Sequence, residues 1–353
     1  MARLCRADPC SSLPNSIALW RDPVKIDRVA ADAGLPPLDW VSVPASGRRF
    51  PDGAHFRLEI PSVEGPRVLE AVLAAAREHD VLINRVSQGS GAMLLKEVEL
   101  RDMAALGAEA GLEVSLFVGP REGFGIGLHS RTDDGAAHFG QLRGMRQLGY
   151  AIEDIARAVE AGIRSFLVAD AGLLTLLVEM QGAGELPLEC VWKVSVMMAP
   201  SNPASLQLLE RLGASTANIP SDVSARELAE LRSAAAIPLD LYLESPDSLG
   251  GVVRGNEMAD LVRAGAPLYA KFGLRNSRML YPAGEHLVDE ACAIAREKVH
   301  RAAVALEWLG RLGPELVQSA RGAEGLGVPK VGGLPVGAGD RNRQVDLVAK
   351  EVS

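Results

Sequence analysis

The sequence lacks the cysteine spacings and basic runs that mark several common classes of protein. Its 353 residues include 4 cysteines, and none of them has the CxxC spacing typical of zinc and iron–sulfur sites. We expect free thiols because disulfides are rare inside cells, although Cys5 and Cys10 could also form a disulfide or half of a metal site. Basic residues are scattered and the formal net charge is −8. This composition argues against nucleic acid and anionic membranes as partners.

Long apolar runs are absent as well. The longest stretches, such as residues 172–180, are too short for a membrane span of roughly 20 residues. The N-terminus has no apolar run followed by a small-residue cleavage site. These features predict a cytoplasmic protein that contacts no membrane.

Three catalytic and cofactor-binding motifs are also missing. No G-x-G-x-x-G turn follows the first predicted strand, where residues 61–66 read PSVEGP. A G-x-S-x-G elbow and an H-E-x-x-H helix are likewise absent. The sequence thus gives no local support for a dinucleotide fold, a serine hydrolase or a zinc peptidase.

What the chain does contain is a regular alternation of short apolar runs and longer amphipathic segments. Eight strands are predicted at 56–61, 81–86, 112–118, 163–168, 190–197, 215–219, 239–244 and 268–272. Eight helices are predicted at 65–79, 99–110, 151–161, 173–181, 203–212, 225–235, 256–263 and 285–312, with a long polar loop at 120–139. This pattern favours an α/β fold, a (β/α)₈ TIM barrel, over an open doubly wound sheet.

The two ends of the chain differ from this repeating region. Residues 1–50 contain several prolines and are interpreted as an N-terminal extension that covers one end of the domain. Residues 51–312 form the predicted barrel. Residues 313–353 are rich in glycine and lack helical periodicity at first, which predicts a mobile tail.

Several strands carry charges on the parity that points into a barrel. The inward set is predicted to be Arg57, Glu59, Lys193, Ser195, Asn218, Asp240, Tyr242, Glu244, Tyr269 and Lys271, with either Asn84 or Arg85 from the second strand. Buried charges must pair with each other or with a ligand. One interpretation is a set of internal salt bridges, such as Arg57 with Glu244 and Lys271 with Glu59. The other is an enzyme site, because strand ends carry the chemistry in such barrels.

Two lysines within these strands have a distinctive setting. Lys193 and Lys271 are flanked by apolar residues, so desolvation is expected to lower the pKa of each amine. Such a lysine can form a Schiff base with a carbonyl substrate, or it can hold a carboxylate or phosphate as a simple cation. Both uses remain open at the level of sequence.

The loops that follow the strands add further candidates. Asp170 ends the fourth strand and could be an acid/base group, a metal ligand or a helix N-cap. The run of residues 88–91, which begins with Gln88, could cradle an anion or be a simple connection. Arg275 and Asn276 follow Lys271 and resemble a clamp for a carboxylate. A divalent metal held by Glu59, Asp170, Glu244 and His129 is a further hypothesis.

Four runs of sequence resemble peptidase family U32, a group of bacterial proteins. They are residues 85–91 (RVSQGSG), 147–155 (QLGYAIEDI), 160–170 (EAGIRSFLVAD) and 271–276 (KFGLRN). The resemblance covers about residues 56–312 and implies a TIM barrel and peptidase activity. Members of the family carry a motif with glutamate and histidine that runs into clustered cysteines, which this chain lacks. It resembles a divergent branch, for which we expect no iron–sulfur cluster.

These observations lead to three functional hypotheses. The first is an enzyme for a small anionic carbonyl or carboxylate compound. In it Glu59, Asp170 and Glu244 supply acid/base groups, and Lys193, Lys271 and Arg275 bind the anion. Further substrate contacts are expected from Arg57, Arg85, Gln88, Asn218, Tyr242 and Asn276. The second hypothesis is peptide-bond hydrolysis, and the third is a non-catalytic barrel that binds a ligand or partner. A homo-oligomer is compatible with all three.

Overall fold

The structure, a computed structural model, describes residues 30–35 and 42–331. Eight parallel strands pair in sequence order, and the eighth pairs with the first to close a barrel. They are β1 (Phe56–Pro61), β2 (Arg85–Gln88), β3 (Glu113–Phe117), β4 (Ser165–Val168), β5 (Val191–Val194), β6 (Thr216–Asn218), β7 (Leu239–Glu244) and β8 (Leu268–Phe272). The predicted TIM barrel is confirmed, and the open sheet is excluded by the β1–β8 pairing.

A helix follows each strand and packs on the outside of the barrel. The helices are α1 (Pro66–Glu78), α2 (Glu97–Ala110), α3 (Gly144–Glu160), α4 (Ala171–Gly182), α5 (Pro203–Arg211), α6 (Ala225–Ala234), α7 (Met258–Gly265) and α8 (Val288–Leu312). Side-chain caps start several of them. Before α6, the Ser224 hydroxyl accepts from the Glu227 amide while the Glu227 carboxylate accepts from the Ser224 amide.

The apolar side of the strands forms the core between sheet and helices. Leu58, Ile60, Trp192, Val194 and Ala270 are at most 1% exposed and belong to one continuous cluster. This is the outward parity predicted from the sequence. Val196, which was also assigned to the outward side, is an exception. β5 ends at Val194, and Val196 begins a short 3₁₀ turn.

The second strand begins later than predicted. β2 covers Arg85–Gln88 rather than 81–86, although Val81 and Ile83 are buried in the core. Asn84 lies just before the strand, where its side chain accepts from the Leu58 amide. Arg85 is therefore the inward residue, which resolves the phase that the sequence left open.

Residues on both sides of the barrel region cover its N-terminal end. Phe50 and Ala54 pack against Tyr269 of β8. Residues 313–331, which we expected to begin a mobile tail, instead bind this end: the Ser319 amide donates to Phe56 O, and the Gly327 amide donates to the Glu113 carboxylate. The tail interpretation is thereby corrected for these residues. Residues 332–353, 1–29 and 36–41 lie outside the described part of the chain.

Candidate functional site

Three carboxylates and three cations fill the middle of the barrel. They are Glu59, Glu113, Asp240, Arg85, Lys193 and Lys271, and each is at most 3% exposed. Four of them were predicted from strand parity, Arg85 was left open as an alternative to Asn84, and Glu113 was missed. Glu113 begins β3, a strand whose inward side also carries Ser115, so its alternation gave a weaker signal. We call these six side chains the interior network.

Arg85 is the centre of the interior network. Its guanidinium lies 3.1 Å from Glu59, 3.0 Å from Asp240 and 2.8 Å from Glu113, and it stacks 3.4 Å above the Tyr269 ring. Burial alone lowers the pKa of Arg85, but the surrounding carboxylates outweigh burial and raise it. Arg85 was predicted to bind substrate. The structure places it among three carboxylates at the middle of the barrel.

Glu59 joins the two lysines of the network. Its Oε1 lies 2.5 Å from Lys193 Nζ and 3.5 Å from Lys271 Nζ, and it also accepts from the Ser87 hydroxyl. Burial raises the pKa of Glu59, but the two lysines and Arg85 lower it well below its usual range. Burial lowers the pKa of Lys193 to about 8, against the opposing effect of Glu59. The expected depression of the pKa thus appears at Lys193.

Lys271 stands at the upper boundary of the network, close to the C-terminal end of β8. Its amine donates to Asn218 Oδ1 and lies 4.3 Å from the centre of the Tyr242 ring. Asn218 is held in turn, since its Nδ2 donates to Val194 O. Burial, together with the nearby carboxylates, raises the pKa of Tyr242, which keeps its hydroxyl protonated at neutral pH. Three predicted site residues therefore meet here.

Arg57 lies at the opposite, N-terminal end of the barrel. Its guanidinium donates to the Ser319 hydroxyl, the Tyr269 hydroxyl and Glu324 O, and it lies 4.0 Å from the Phe50 ring centre. These partners close the bottom of the barrel. Arg57 was predicted to bind substrate, and the structure places it at the end of the barrel opposite the C-terminal mouth.

Glu244 does not point into the barrel, contrary to the prediction from parity. A bulge in β7 lies between Tyr242, which pairs with Lys271, and Glu244, which pairs with the outward residue Phe272. The Glu244 carboxylate accepts from the Arg275 amide and lies 3.7 Å from Arg301 of α8. The predicted Arg57–Glu244 pair is therefore wrong. The predicted Lys271–Glu59 pair is present at 3.5 Å.

Asp170 acts as the N-cap of α4. Its Oδ1 accepts from the Leu173 amide, and its Oδ2 accepts from the Leu142 amide at the end of the long loop. Both oxygens therefore bind backbone donors. Of the roles left open by the sequence, the structure shows the cap.

The glycine-containing turn after β2 does hold an anion, but one from the same chain. The amides of Gly89 and Ser90 each donate to the carboxylate of Glu64 at 2.9 Å. Gln88, predicted to bind substrate, instead donates to Gly91 O and accepts from the Gly91 amide. Glu64 was missed because a glutamate just after a strand resembles an ordinary surface residue.

Arg275 and Asn276 lie at the outer rim. The Arg275 side chain is 59% exposed and its Nε lies 3.9 Å from Asp247 Oδ1. The Asn276 amide donates to Asp247 Oδ2 at 2.7 Å. The predicted clamp therefore does not reach Lys271 in this structure.

The long loop after β3 packs part of its length onto the mouth. Arg121 lies 3.8 Å from the Phe117 ring centre and 4.4 Å from that of Phe124, and it donates to Gly89 O. Burial lowers the pKa of Arg121 to about 10. His129 is exposed, and its ring centre lies 5.0 Å from that of His138. Within residues 30–35 and 42–331, no three histidine, cysteine or acidic side chains converge as a metal site.

A small cavity opens at the C-terminal ends of β1, β7 and β8. Its volume is about 130 Å³. Among its lining residues are Ser62, Tyr242, Asp247, Gly273, Tyr281 and Lys298. We call it the mouth cavity. Because Tyr242 lines it and also contacts Lys271, the cavity is adjacent to the upper boundary of the interior network.

The solved structures to which the chain is similar share little of its sequence. No family model and no curated protein matches its sequence. A U32 peptidase structure is 18% identical with a TM-score of 0.36, covering 56% of this chain and 72% of that one. The copper homeostasis protein CutC of Streptococcus agalactiae, itself labelled putative, is 14% identical with a TM-score of 0.42, covering 61% and 97%. These likenesses extend to the fold alone.

One further observation concerns membranes. None of the helices in the described ranges is both long enough and apolar enough to cross a bilayer.

Proposed function

We propose that this barrel is an enzyme that performs acid/base chemistry on a small anionic compound with a carbonyl or carboxylate group. The observation that carries the proposal is one carboxylate oxygen shared by two amines. Glu59 Oε1 lies 2.5 Å from Lys193 Nζ and 3.5 Å from Lys271 Nζ. Burial lowers the pKa of Lys193 to about 8, so this amine can release a proton at moderate pH.

Lys271 is the residue assigned to substrate contact. It lies near the C-terminal end of β8, where (β/α)₈ enzymes hold their reactive groups. Asn218 and Tyr242 fix its amine. Glu59 and Lys193 act as positioning residues that hold their charges beside the Lys271 amine. Arg85, Glu113 and Asp240 balance their charge from below.

The test follows proton exchange rather than turnover of one chosen substrate. Small 2-oxo acids and aldehydes are incubated with the protein in D₂O, and loss of the proton next to the carbonyl is followed by NMR. Exchange with at least one compound is expected from the wild type, and Lys271→Met is expected to abolish it. Lys330→Met, which changes an exposed lysine at the other end of the barrel, is the matched control. Exchange that persists in Lys271→Met would remove Lys271 from the mechanism.

A covalent form of the same chemistry is tested in parallel. A neutral lysine amine that attacks a carbonyl releases water and forms an imine, which borohydride reduces to a stable secondary amine. Peptide mass spectrometry then reports whether the adduct is on Lys271 or Lys193. No adduct alongside normal exchange points to acid/base chemistry without an imine.

A second candidate function is a non-catalytic barrel that binds a ligand or partner. It is favoured by the equal numbers of carboxylates and cations in the interior network and by their burial. On this alternative, no compound exchanges a proton and Lys271→Met leaves ligand binding unchanged. Exchange by the wild type would exclude it.

Peptide hydrolysis, implied by the resemblance to family U32, has less support in the described residues. Burial raises the pKa of the Cys190 thiol to about 12, which disfavours the nucleophilic thiolate. The pKa of Cys292 is also raised by burial. Cleavage across a broad peptide library, assayed with and without divalent metals, is the direct test.

A further inference from the structure

Lys298 is a buried cation that the interior network does not use. It lies on α8, is 3% exposed and lines the mouth cavity. Its amine donates to Pro61 O at 2.8 Å. No carboxylate of the described residues lies within 4 Å of this amine, and the nearby Glu64 already accepts from two backbone amides. An ammonium group has three N–H donors, so Lys298 retains hydrogen-bonding capacity for a ligand.

Tyr242 places a second donor at the same cavity. Its side chain lines the cavity wall, and its hydroxyl has no hydrogen-bond partner among the residues that the structure describes. The Tyr242 ring packs against the Lys271 amine, which lies 4.3 Å from the ring centre. A molecule bound in the cavity would therefore be one aromatic ring away from Lys271.

Ser62 and Tyr281 form the cover of the cavity. The two hydroxyl groups are 2.5 Å apart. Ser62 adopts a left-handed backbone conformation with φ of 63°, which is uncommon for a residue other than glycine. Such strain is typical of sites where the position of a side chain matters.

The other charges at the cavity wall are already engaged. Asp247 accepts from the Asn276 amide and lies 3.9 Å from Arg275. Arg278 is paired with Glu290 at 3.1 Å. Lys298 is thus the charged group of the wall that is buried and lacks an ion-pair partner among the described residues. The local chemistry favours an anion over a cation.

We propose that the mouth cavity is an oxyanion subsite, in which Lys298, Tyr242 and Ser62 bind the carboxylate or phosphate of a small substrate. The volume of about 130 Å³ suits a group of a few heavy atoms rather than a peptide or a cofactor. This inference rests on the proposed function for the identity of the reaction, but oxyanion binding does not depend on turnover. It assigns the anionic end of the substrate to Lys298 and leaves Lys271 for the reacting end.

The test is isothermal titration of the full chain with inorganic phosphate and, separately, with acetate. Saturable binding of at least one probe is expected, and the stronger probe identifies the oxyanion as phosphate or carboxylate. Lys298→Met is expected to weaken binding about tenfold or more, since hydrogen bonds to charged groups contribute strongly. Lys298→Arg should retain binding, and Tyr242→Phe should weaken it about threefold. Lys330→Met is the control with an exposed lysine.

Each outcome bears on the proposal. Binding that is equal in wild type and Lys298→Met, or no saturable binding of either probe, would overturn it. If Lys298→Met fails to fold, Ser62→Ala is used instead. It is expected to weaken binding of the probes, and unchanged binding would overturn the proposal. Lys271→Met separates this inference from the proposed function, because it should bind the probes normally while losing proton exchange. If the wild type exchanges protons but binds neither oxyanion, the subsite is contradicted and the proposed function is not.

Discussion

Lys193 is a buried cation of the interior network that contacts two of its carboxylates. It is fully buried and lies 2.5 Å from Glu59 and 3.7 Å from Asp240. We expect Lys193→Met to lower the free energy of unfolding by about 3 kcal/mol, because it leaves buried carboxylates short of a cation. Urea denaturation measures this loss. The double variant Lys193→Met/Glu59→Gln should lose less unfolding free energy than the sum of the losses in the two single variants. Additive losses would show that the two residues do not interact.

Asp170 allows a cap and an acid/base group to be told apart. Because its oxygens accept from the Leu173 and Leu142 amides, Asp170→Ala should cost about 1–2 kcal/mol of stability. Asp170→Asn retains an acceptor oxygen and should stay close to the wild type in both stability and proton exchange. An Asp170→Asn protein that is stable but inactive in exchange would restore the acid/base role predicted from the sequence.

Lys298 predicts a particular dependence of stability on pH. Burial lowers its pKa from 10.5 to about 8 in the folded protein. Between pH 8 and 10.5 the unfolded chain therefore binds more protons, so the contribution of Lys298 to the free energy of unfolding rises with pH. Below pH 8 the cost of the buried charge is complete, at about 1.4 kcal/mol per pKa unit.

Lys298→Met should remove this dependence. The difference in unfolding free energy between variant and wild type is measured by denaturation at pH 7, 8, 9 and 10. It should favour the variant most at pH 7 and shrink as pH rises. A difference that stays constant across this range would mean that the Lys298 amine titrates as it does in the unfolded chain. A variant more stable than wild type would indicate that the lysine is retained for binding, not for the fold.

At the level of single residues, strand parity predicted the interior charges and one of their ion pairs, Lys271 with Glu59, but not their other partners. Period-2 alternation correctly placed Glu59, Lys193, Asp240 and Lys271 inside, because side chains alternate sides along a regular strand. The same rule failed at Glu244, where a bulge shifts the pairing. Nothing local in the sequence distinguishes that position. Hydrogen-bond partners such as those of Asp170 depend on distant backbone and could only be offered as alternatives.

Among the elements, the turn after β2 and the segment that follows β8 fit closely against each other. Gly89 has no side chain, and a Cβ atom there would lie 2.3 Å from the Tyr281 ring. We expect Gly89→Ala to displace this ring and to cost about 1–3 kcal/mol, as overpacking does in cores. Thermal or urea denaturation gives the loss. In a Tyr281→Ala background the same change should cost much less, and an equal cost in both backgrounds would contradict the contact.

Element boundaries were predicted well where periodicity is strong and poorly where tertiary contacts decide. β1, β7 and β8 have the predicted limits, since each is a clean alternation of apolar and polar residues. β2 starts at Arg85 because Asn84 turns aside to bind Leu58 and the segment at Ser319. Residues 313–331 have no periodic pattern to detect, because backbone and polar groups, together with isolated apolar residues such as Leu316 and Leu326, hold them to the barrel.

On the scale of the whole molecule, charge is distributed along the barrel axis in three levels. Arg57 closes the N-terminal end, the interior network fills the middle, and Lys298 stands at the C-terminal mouth. Arg57 is hydrogen-bonded and the interior network is ion-paired among the described residues, although Arg85 Nη2 has no hydrogen-bond partner there, whereas Lys298 has no ion-pair partner among those residues. Because of this difference we distinguish the N-terminal end of the barrel, which we call the structural floor (Arg57, Ser319, Glu324 and Gly327), from a binding mouth. Strand parity alone could not predict the difference.

The final prediction concerns the contribution of the structural floor to stability. A chain that ends after Leu312 loses Ser319, Glu324 and Gly327, which bind the guanidinium of Arg57 and the carboxylate of Glu113. Arg57 would keep the Tyr269 hydroxyl and Glu113 would keep Arg85 and the Ser165 hydroxyl, but each hydrogen bond lost by a buried charged group costs about 1–3 kcal/mol. We expect a barrel that is unstable or insoluble at 37 °C. A chain that ends after Val331 keeps these contacts and is the matched control. Equal melting temperatures for the two truncations would mean that residues 313–331 contribute nothing to the fold, and the floor would have to be assigned to Phe50 and Tyr269 instead.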